Sequence, residues 1–510
     1  MTGRWRDSRG LTPVLGLTLL IGMVAVASIG IFLVSSASLS SSADGLEDER
    51  VEQSFTQLGA DLNTVAASSS DTRTVALGLE DAEGDVSLVD SGHMTITVAG
   101  VDDPIIDEPL RSIEYRDGDT VVAYEGGAVF RGSGTETRLL SGPQVEFREE
   151  TLHLPVTRLN GVESVSNDRI RLSKLGSEDL TRDGPNVAGR FVRITIESPY
   201  YVGWAEHYER QVDASYVRVD HESETVTVLL GQPQPDGSYD GAVYAQGDVK
   251  DNGGTPSVNG SITASGDVNI TCEEPTVCTG GEEFDLRPLD EDIAYLLETV
   301  DDDAQPIEGS TLENGTYLTD NLSLPDDLTI DLSEGNVTLV VDGYIGLNNA
   351  KIEVIGAEGT NNVARVYTTG DVAIGGGSSG VSVESDDPSR FQLYGTSEMK
   401  FAIGQGEFTG TIYAPRDEPA EGTNDVVEEY APNADCSPDA DWADVCIGTG
   451  SVDFTGSIIS GPMAIAQNAE LTYDPLLKTV EPTIDIKPEH LPPKLTHLTI
   501  VAHDVGVESD

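Results

Sequence analysis

The longest apolar run of the chain is Leu11–Val34, twenty-four residues without a charge. At about 1.5 Å per residue, a helix of that length crosses the ~30 Å hydrocarbon core of a bilayer. Residues 11–34 are therefore predicted to be a transmembrane helix. A small-residue collar, Ser35 to Ser42, follows it. From Asp44 the pattern is one-sided. Leu46, Val51, Phe55, Leu58, Leu62 and Val65 recur at the spacing of a helix face. Glu47, Asp48 and Glu49 stand near its start, where the helix dipole favours acids. Residues 35–72 are predicted as an amphipathic helical stalk, either continuous with the membrane helix or separate from it.

Over residues 73–230 the period shortens to two. His93–Val98 alternates, and Arg111–Arg116 and Thr120–Tyr124 flank Asp117-Gly118 as a predicted hairpin. Further strands are expected at Gln144–Phe147, Leu152–Val156, Phe191–Ile196 and Thr225–Leu230. Short strands separated by turn signals suggest a β-sandwich. The aromatic stretch Ser198–Tyr208 fits a short helix capping the sandwich core, with an exposed binding surface as the alternative. Gly231–Tyr239, with two prolines, opens a linker over residues 231–240.

Residues 241–477 carry a different texture, short β-branched runs joined by Gly or Gly-Asp. It is seen at Ala242–Val249, Val258–Ile270, Val337–Ile355, Ala364–Ile374, Phe408–Pro415 and Val452–Gly461. Degenerate strand repeats with glycine corners predict a parallel β-solenoid, against a second sandwich as the alternative. Arg287–Val300 interrupts it as a helix, with Leu289, Ile293, Leu296, Leu297 and Val300 on one stripe. Residues 478–510 form a proline-marked tail ending in a strand at His497–Ala502, which is expected to return to the sandwich. The expected fold class is mainly β: an N-terminal helix, a sandwich-like domain, then a solenoid-like domain.

Charge narrows the setting. The net charge is -60, and only seven of the 29 basic residues are lysine. This composition resembles that of the proteins of extreme halophiles, which implies a setting of molar salt where screening is short-ranged; in dilute solution self-repulsion is expected to destabilise the chain. It offers no basic stripe for nucleic acid. The four cysteines, Cys272, Cys278, Cys436 and Cys446, allow three pairings, and their spacing suits local disulfides outside the cytoplasm. Five Asn-x-Ser/Thr sequons are glycosylation candidates: Asn259, Asn269, Asn314, Asn321 and Asn336.

Orientation follows from Arg4, Arg6 and Arg9 before the apolar run, which place residues 1–10 in the cytoplasm and the bulk of the chain outside the membrane. Arg9-Gly10 directly before Leu11-Thr12-Pro13-Val14-Leu15-Gly16 resembles the class III signal of archaeal type IV pilin-like proteins. The resemblance implies cleavage between Gly10 and Leu11 by a prepilin peptidase, with the apolar segment kept for anchoring or for packing with other pilin subunits. Leu15 departs from the bacterial pattern, which has a glutamate there. Thr411–Pro415, Gly456–Gly461 and Ala469–Asp474 resemble a domain of haloarchaeal pilin-like surface proteins. Together these imply a non-enzymatic minor pilin or adhesin. An uncut signal-anchored envelope protein is the alternative, and a solenoid carbohydrate-active enzyme a third reading.

Signals for chemistry are sparse. Gly376-Gly377-Ser378-Ser379-Gly380 spells GxSxG, but a nucleophile elbow needs a helix after it and β-like runs flank this one. Asp371, Asp386, Asp387 and Arg390 are the carboxylates and arginine a solenoid hydrolase or lyase would use. Asp439, Asp441 and Asp444 form an acidic loop that lacks EF-hand spacing. His497 and His503 are too few for a metal site on their own. No catalytic residue, metal or cofactor is expected.

Overall fold

The computed structural model describes residues 47–509, apart from 69–71, 81, 183–185, 254, 273–275, 285, 301–303, 417–424, 435–442 and 449. The expected leader, the membrane helix and the processing residues Arg9, Gly10 and Leu11 lie outside the described residues. Among those described, no helix is long and apolar enough to cross a membrane. The fold is mainly β, with an antiparallel and a mixed sheet in the N-terminal part and parallel ones beyond it.

The amphipathic helix expected within residues 35–72 is present. Residues 47–67 are helical (α1), and Val51, Phe55, Leu58, Leu62 and Val65 are fully or almost fully buried among Ile113, Tyr115, Val122, Tyr124 and Val129. Gly59 lets the helix lie directly on the sheet, because a Cβ there would come within 2.8 Å of Val129. Polar contacts fix the rest. Tyr124 donates to Asn63 (3.2 Å), and Arg131 pairs with Asp48 (2.7 Å) and with Glu52. Lys174 Nζ donates to the carbonyls of Ala66 and Ser68, each at 2.6 Å. A cation on the last carbonyls is where the helix dipole favours it. The described helix is thus a core element of the N-terminal unit and does not stand off as a stalk.

Two sheets complete that unit: an eight-stranded antiparallel sheet and a five-stranded mixed one. The expected hairpin is present as Ile106–Asp117 and Thr120–Glu125, with Asp117 paired to Thr120. Gly118 therefore occupies the first central turn position, at φ +53°, and the turn is Gly118-Asp119, one residue later in the chain than an Asp117-Gly118 turn. The aromatic stretch forms α2 (Tyr201–Glu209), whose Trp204 and Tyr208 are buried with Tyr200, as the capping-helix expectation required. The last strand, His497–Ser509, is longer than expected. It is not a tail: it lies between Thr151–Gly161 (parallel) and Arg169–Asp179 (antiparallel), inside the five-stranded sheet. Both ends of the described chain are thereby built into one unit.

Residues 243–472 form parallel strands that coil through three faces per turn. One turn runs from Leu328–Asp331 on the first face to Val337–Val341 on the second and Ile345–Asn348 on the third; the next turn stacks on it through Ile352, Ala364 and Val372. Inward Val, Ile, Leu and Phe fill the coil, with Phe408 stacked on Phe454 at 5.0 Å. Corners need glycine: Gly456 sits at φ +152°, and a Cβ there would overlap the Gly410 carbonyl oxygen of the neighbouring turn.

The chain does not fill this stack in order. Val243–Ala245 pairs with Ile458–Ser460, so the earliest turns stack on the latest ones. The helix expected to interrupt the coil, α3 (Asp290–Val300), is the crossover between its two ends. It lies along the second face against Val340, Tyr367, Tyr394, Tyr413 and Ile459. The expected linker is packed too: Tyr239 is fully buried and Tyr413 donates to the Asp236 carbonyl (2.9 Å).

Candidate functional surface

Side-chain register decides which faces of the coil are available. On the second face Val340, Tyr367, Tyr394, Tyr413, Ile459 and Tyr244 form one outward column. Tyr367 and Tyr394 stack at 5.0 Å, as ring faces half an aromatic diameter offset prefer to do. Their hydroxyls are taken by the return segment: Asp485 N–H donates to Tyr367 (2.8 Å) and Thr483 N–H to Tyr394 (3.0 Å). The aromatic column is thus glue between the coil, α3 and the C-terminal segment. It opens only near its end, where Tyr244, Phe284 and Leu286 line a groove of about 450 Å3 together with Asp240, Glu282 and Glu283.

The third face carries small residues outward: Gly346, Ala373, Ala402, Cys446 and Ala464 in one column. This smoothness seats α4 (Asp425–Tyr430) through Val427. A Cβ on Gly346 would come within 2.6 Å of Tyr430, whose hydroxyl meets Ser323 at 2.9 Å.

The first face is the open one. Thr311, Thr329, Glu353 and Ser382 run in register along one half, and Thr409, Thr455, Thr472 and Asn259 along the other, all partly or fully exposed. A second column places Lys351, Gly380, Glu407, Asp453 and Glu470 in sequence. Lys351 Nζ reaches Glu407 at 2.7 Å across Gly380, which has no side chain to block it. Neighbouring turns are about 4.8 Å apart. The face therefore repeats hydroxyls and carboxylates at a fixed short interval, the pattern a stiff polar docking surface has.

The residues singled out for chemistry do not converge. Asp371 follows the end of Ala364–Thr368, while Asp387 and Arg390 precede Phe391, which pairs with the start of that strand. Asp387 is spent on its own turn, accepting from Ser389 N–H (3.0 Å) and Arg390 Nε (2.9 Å). Asp386 sits next to it at φ +54°. Asp371 instead accepts from the Lys400 N–H (2.9 Å), and burial raises its pKa. It belongs to a corner column with Lys400 and Asp444, since the residues after them, Val372, Phe401 and Val445, are paired. Arg416, buried and held low by burial, lies 3.1 Å from Asp444 and donates to the Met399 carbonyl. Asp444 is thus the ion-pair partner of a buried arginine, and Asp439 and Asp441 lie outside the described residues.

The central serine of the GxSxG stretch, Ser378, is exposed in a turn, and Ser379 beside it is buried and donates to the Gly375 carbonyl; the stretch joins strand Val372–Gly375 to strand Gly380–Val383, with no helix after it. His497 and His503 share one strand, six positions apart, so about 20 Å separates them. His503 meets Ser177 at 2.8 Å instead. Cys272 and Cys278 form a disulfide with Cα atoms 6.2 Å apart. Cys446 is also disulfide-bonded, while Cys436 lies outside the described residues. All five sequon asparagines are described and exposed.

Sequence reasoning missed one polar centre, beneath α2. Glu125 is fully buried and accepts from Trp204 Nε1 and Ser198 Oγ, both at 2.8 Å. Glu114 beside it accepts from Ser112 (2.8 Å), Arg116 Nε (2.7 Å) and Tyr200. Burial raises the Glu125 pKa, with Glu114 adding to it, against hydrogen bonds that lower it. The period-two alternation held a signal: Glu114 and Glu125 stand at inward positions of the hairpin. Both carboxylates receive the polar tips of aromatic residues whose rings fill the core.

The comparisons divide the chain in two. Residues 9–236 match the model of a family of unknown function, DUF7289, and residues 272–480 match that of a domain of unknown function, DUF7305. Its two parts are similar to two families without an assigned role. No curated protein and no solved structure matches the chain. The boundaries cut across the structure, because the turns before residue 272 belong to the coil and His497–Ser509 to the N-terminal unit.

Proposed function

We propose that this is a non-enzymatic, pilin-like cell-surface protein of a halophilic archaeon, a minor pilin or adhesin. It is anchored or assembled through residues 11–34, with a β-sandwich-like head and a β-solenoid-like domain outside the membrane. The observation that carries the reading is α1. A pilin-like chain needs the segment following its membrane helix to be held by the head, and α1 buries Val51, Phe55, Leu58, Leu62 and Val65 there. The open polar face of the coil supports the adhesive half of the reading, since it presents repeated hydroxyl and carboxylate groups on a rigid parallel stack. The disulfide at Cys272–Cys278 suits an oxidising compartment. Its partners are then the membrane, a prepilin peptidase and other pilin subunits.

The test is processing. Replacing Gly10 by valine is expected to leave a chain longer by the leader, seen as a mass shift of the membrane-bound protein. A mass that differs between Gly10→Val and the unaltered protein only by the three CH2 units of the substitution, both retaining Met1 or Thr2, contradicts the pilin-like reading and leaves a signal-anchored envelope protein.

A further inference from the structure

The five sequons lie close together in the sequence but not in space. Because α3 carries the chain from one end of the coil to the other, the sequons before it and those after it fall at opposite ends. The third-face sheet has eight strands, so those ends are about 34 Å apart. Asn259 is the last residue of Ser257–Asn259, the edge strand of the first face, and Asn269 ends Val268–Asn269, the edge strand of the third. At the far end Asn314 directly precedes Gly315–Thr319, the edge strand of the second face, and Asn321 directly precedes Leu322–Leu324, the edge strand of the third. Asn336 stacks one turn inward of Asn314, since Gly315 pairs with Val337. The middle turns hold no sequon.

The side chains are arranged for modification. Asn321 Oδ1 accepts from the Tyr344 N–H (3.0 Å) and Asn336 Oδ1 from the Val363 N–H (2.9 Å). These bonds fix each amide at its corner through oxygen and leave Nδ2 to solvent. Among the described residues none of the five Nδ2 groups donates a hydrogen bond to the protein.

Both ends of a parallel coil expose unpaired N–H and C=O groups, a template for another copy of the same chain. The second-face edge at the far end is partly closed, because Gln305 pairs with Tyr317. At the near end Thr276 Oγ1 donates to the Val258 carbonyl and Gly281 N–H to the Gly266 carbonyl (2.9 Å), so that end is partly covered as well; the edge strands of the first and third faces still have no strand beyond them among the described residues, and they are only two or three residues long.

We infer that N-linked oligosaccharides on the four edge asparagines, Asn259, Asn269, Asn314 and Asn321, cap the two ends of the coil and block its end-to-end stacking on a second copy. In the transfer, an Nδ2–C1 bond forms to a lipid-phosphate-linked oligosaccharide as its C1–O bond breaks. The lipid phosphate leaves with the electron pair, and Nδ2 gives up one proton. The inference rests on the extracytoplasmic placement proposed above.

The experiment uses full-length protein solubilised from its own membranes, with glycopeptide mass spectrometry and light scattering in molar salt. Oligosaccharide is expected at Asn259, Asn269, Asn314 and Asn321. Enzymatic or chemical removal of it, or the combined substitutions Ser261→Ala, Thr271→Ala, Thr316→Ala and Ser323→Ala, is expected to raise the solution mass at least twofold. These substitutions keep the Asn321 amide in its corner bond. Bare sequons on a surface-exposed, disulfide-bonded chain overturn the inference and leave the proposed function standing. Occupied sequons whose removal leaves the mass unchanged overturn the capping role. Bare sequons with Cys272 and Cys278 reduced overturn the extracytoplasmic placement itself.

Discussion

Arg287 and Asp292 form an ion pair that is 1% and 0% exposed, at the junction of the two units. Arg287 also donates to the Gly189 carbonyl (3.3 Å), and its Cβ lies 2.8 Å from where a side chain on Gly100 would begin. Asp292 belongs to α3, so the pair ties the crossover to the N-terminal unit. Removing one partner leaves the other charged and buried, which costs about 3–5 kcal/mol. The two single substitutions differ in how they respond to pH. Asp292 is already pushed up to about 6, by burial against the opposing pull of Arg287. In Arg287→Met that pull is gone, the folded pKa rises further, and the carboxyl escapes the penalty by taking a proton. Its native state then holds more protons than its unfolded state, so stability is greatest in acid and falls as pH rises through the folded pKa. In Asp292→Asn the stranded group is a guanidinium, which does not titrate in this range, so the variant gains nothing in acid; the unaltered protein does gain there, as Asp292 takes a proton, and the measured loss is expected to be larger at pH 5 than at pH 8. Urea unfolding in molar salt at pH 5 and pH 8, followed by circular dichroism, measures both. Expected is a loss of about 3–5 kcal/mol for Asp292→Asn at pH 8 that grows by about 1 kcal/mol at pH 5, and for Arg287→Met a loss that shrinks by at least about 1 kcal/mol at pH 5. Losses below about 1 kcal/mol for both, or equal pH dependence, would refute the role of the pair as a buried tie.

Four further outcomes follow from the structure. His207 is buried, and its pKa is pushed down to about 4, so the stability it contributes while neutral is lost as pH falls from about 6.5 toward 4; His207→Gln is expected to flatten that part of an unfolding-against-pH curve. Glu125→Gln keeps an acceptor for Trp204 and Ser198 and removes a carboxyl whose charged form burial disfavours, so a gain on the order of 1 kcal/mol is expected at pH 7 that fades in acid, whereas Glu125→Leu is expected to lose about 1–3 kcal/mol. Gly456→Ala is expected to cost at least about 2 kcal/mol or to abolish soluble protein, since φ +152° and the Gly410 carbonyl both oppose a Cβ. Dialysis from molar to dilute salt is expected to lower the melting temperature, because a net charge of -60 is then unscreened.

The periodicity of the chain made α1, the strands of the hairpin half, α2 and α3 legible, and the repeated Val/Ile runs with glycine corners gave the parallel character of the second half. What it did not carry is order in space. Nothing in Val243–Ala245 tells that it pairs with Ile458–Ser460, because any inward Val/Ile run fits against any other. The fate of Tyr367, Tyr394 and Tyr413 was hidden for the same reason: an outward tyrosine column reads alike whether solvent or another segment covers it. The charged candidates failed differently. In a chain with 89 acids, Asp387 near Arg390 is a pair that composition alone makes common, and the structure uses it as a turn cap. Glu114 and Glu125 were overlooked because an inward carboxylate contradicts the alternation rule unless its partners, here Tyr200, Trp204 and Ser198, are known in three dimensions.

The central claim, a pilin-like surface protein, turns on one residue. Its most direct measurement is the N-terminal amino acid of the protein recovered from membranes and from filaments sheared off the cell surface. A mature chain that begins at Leu11 and is present in the sheared fraction is the expected result. An intact start at Met1 or Thr2, found in membranes alone, would contradict it.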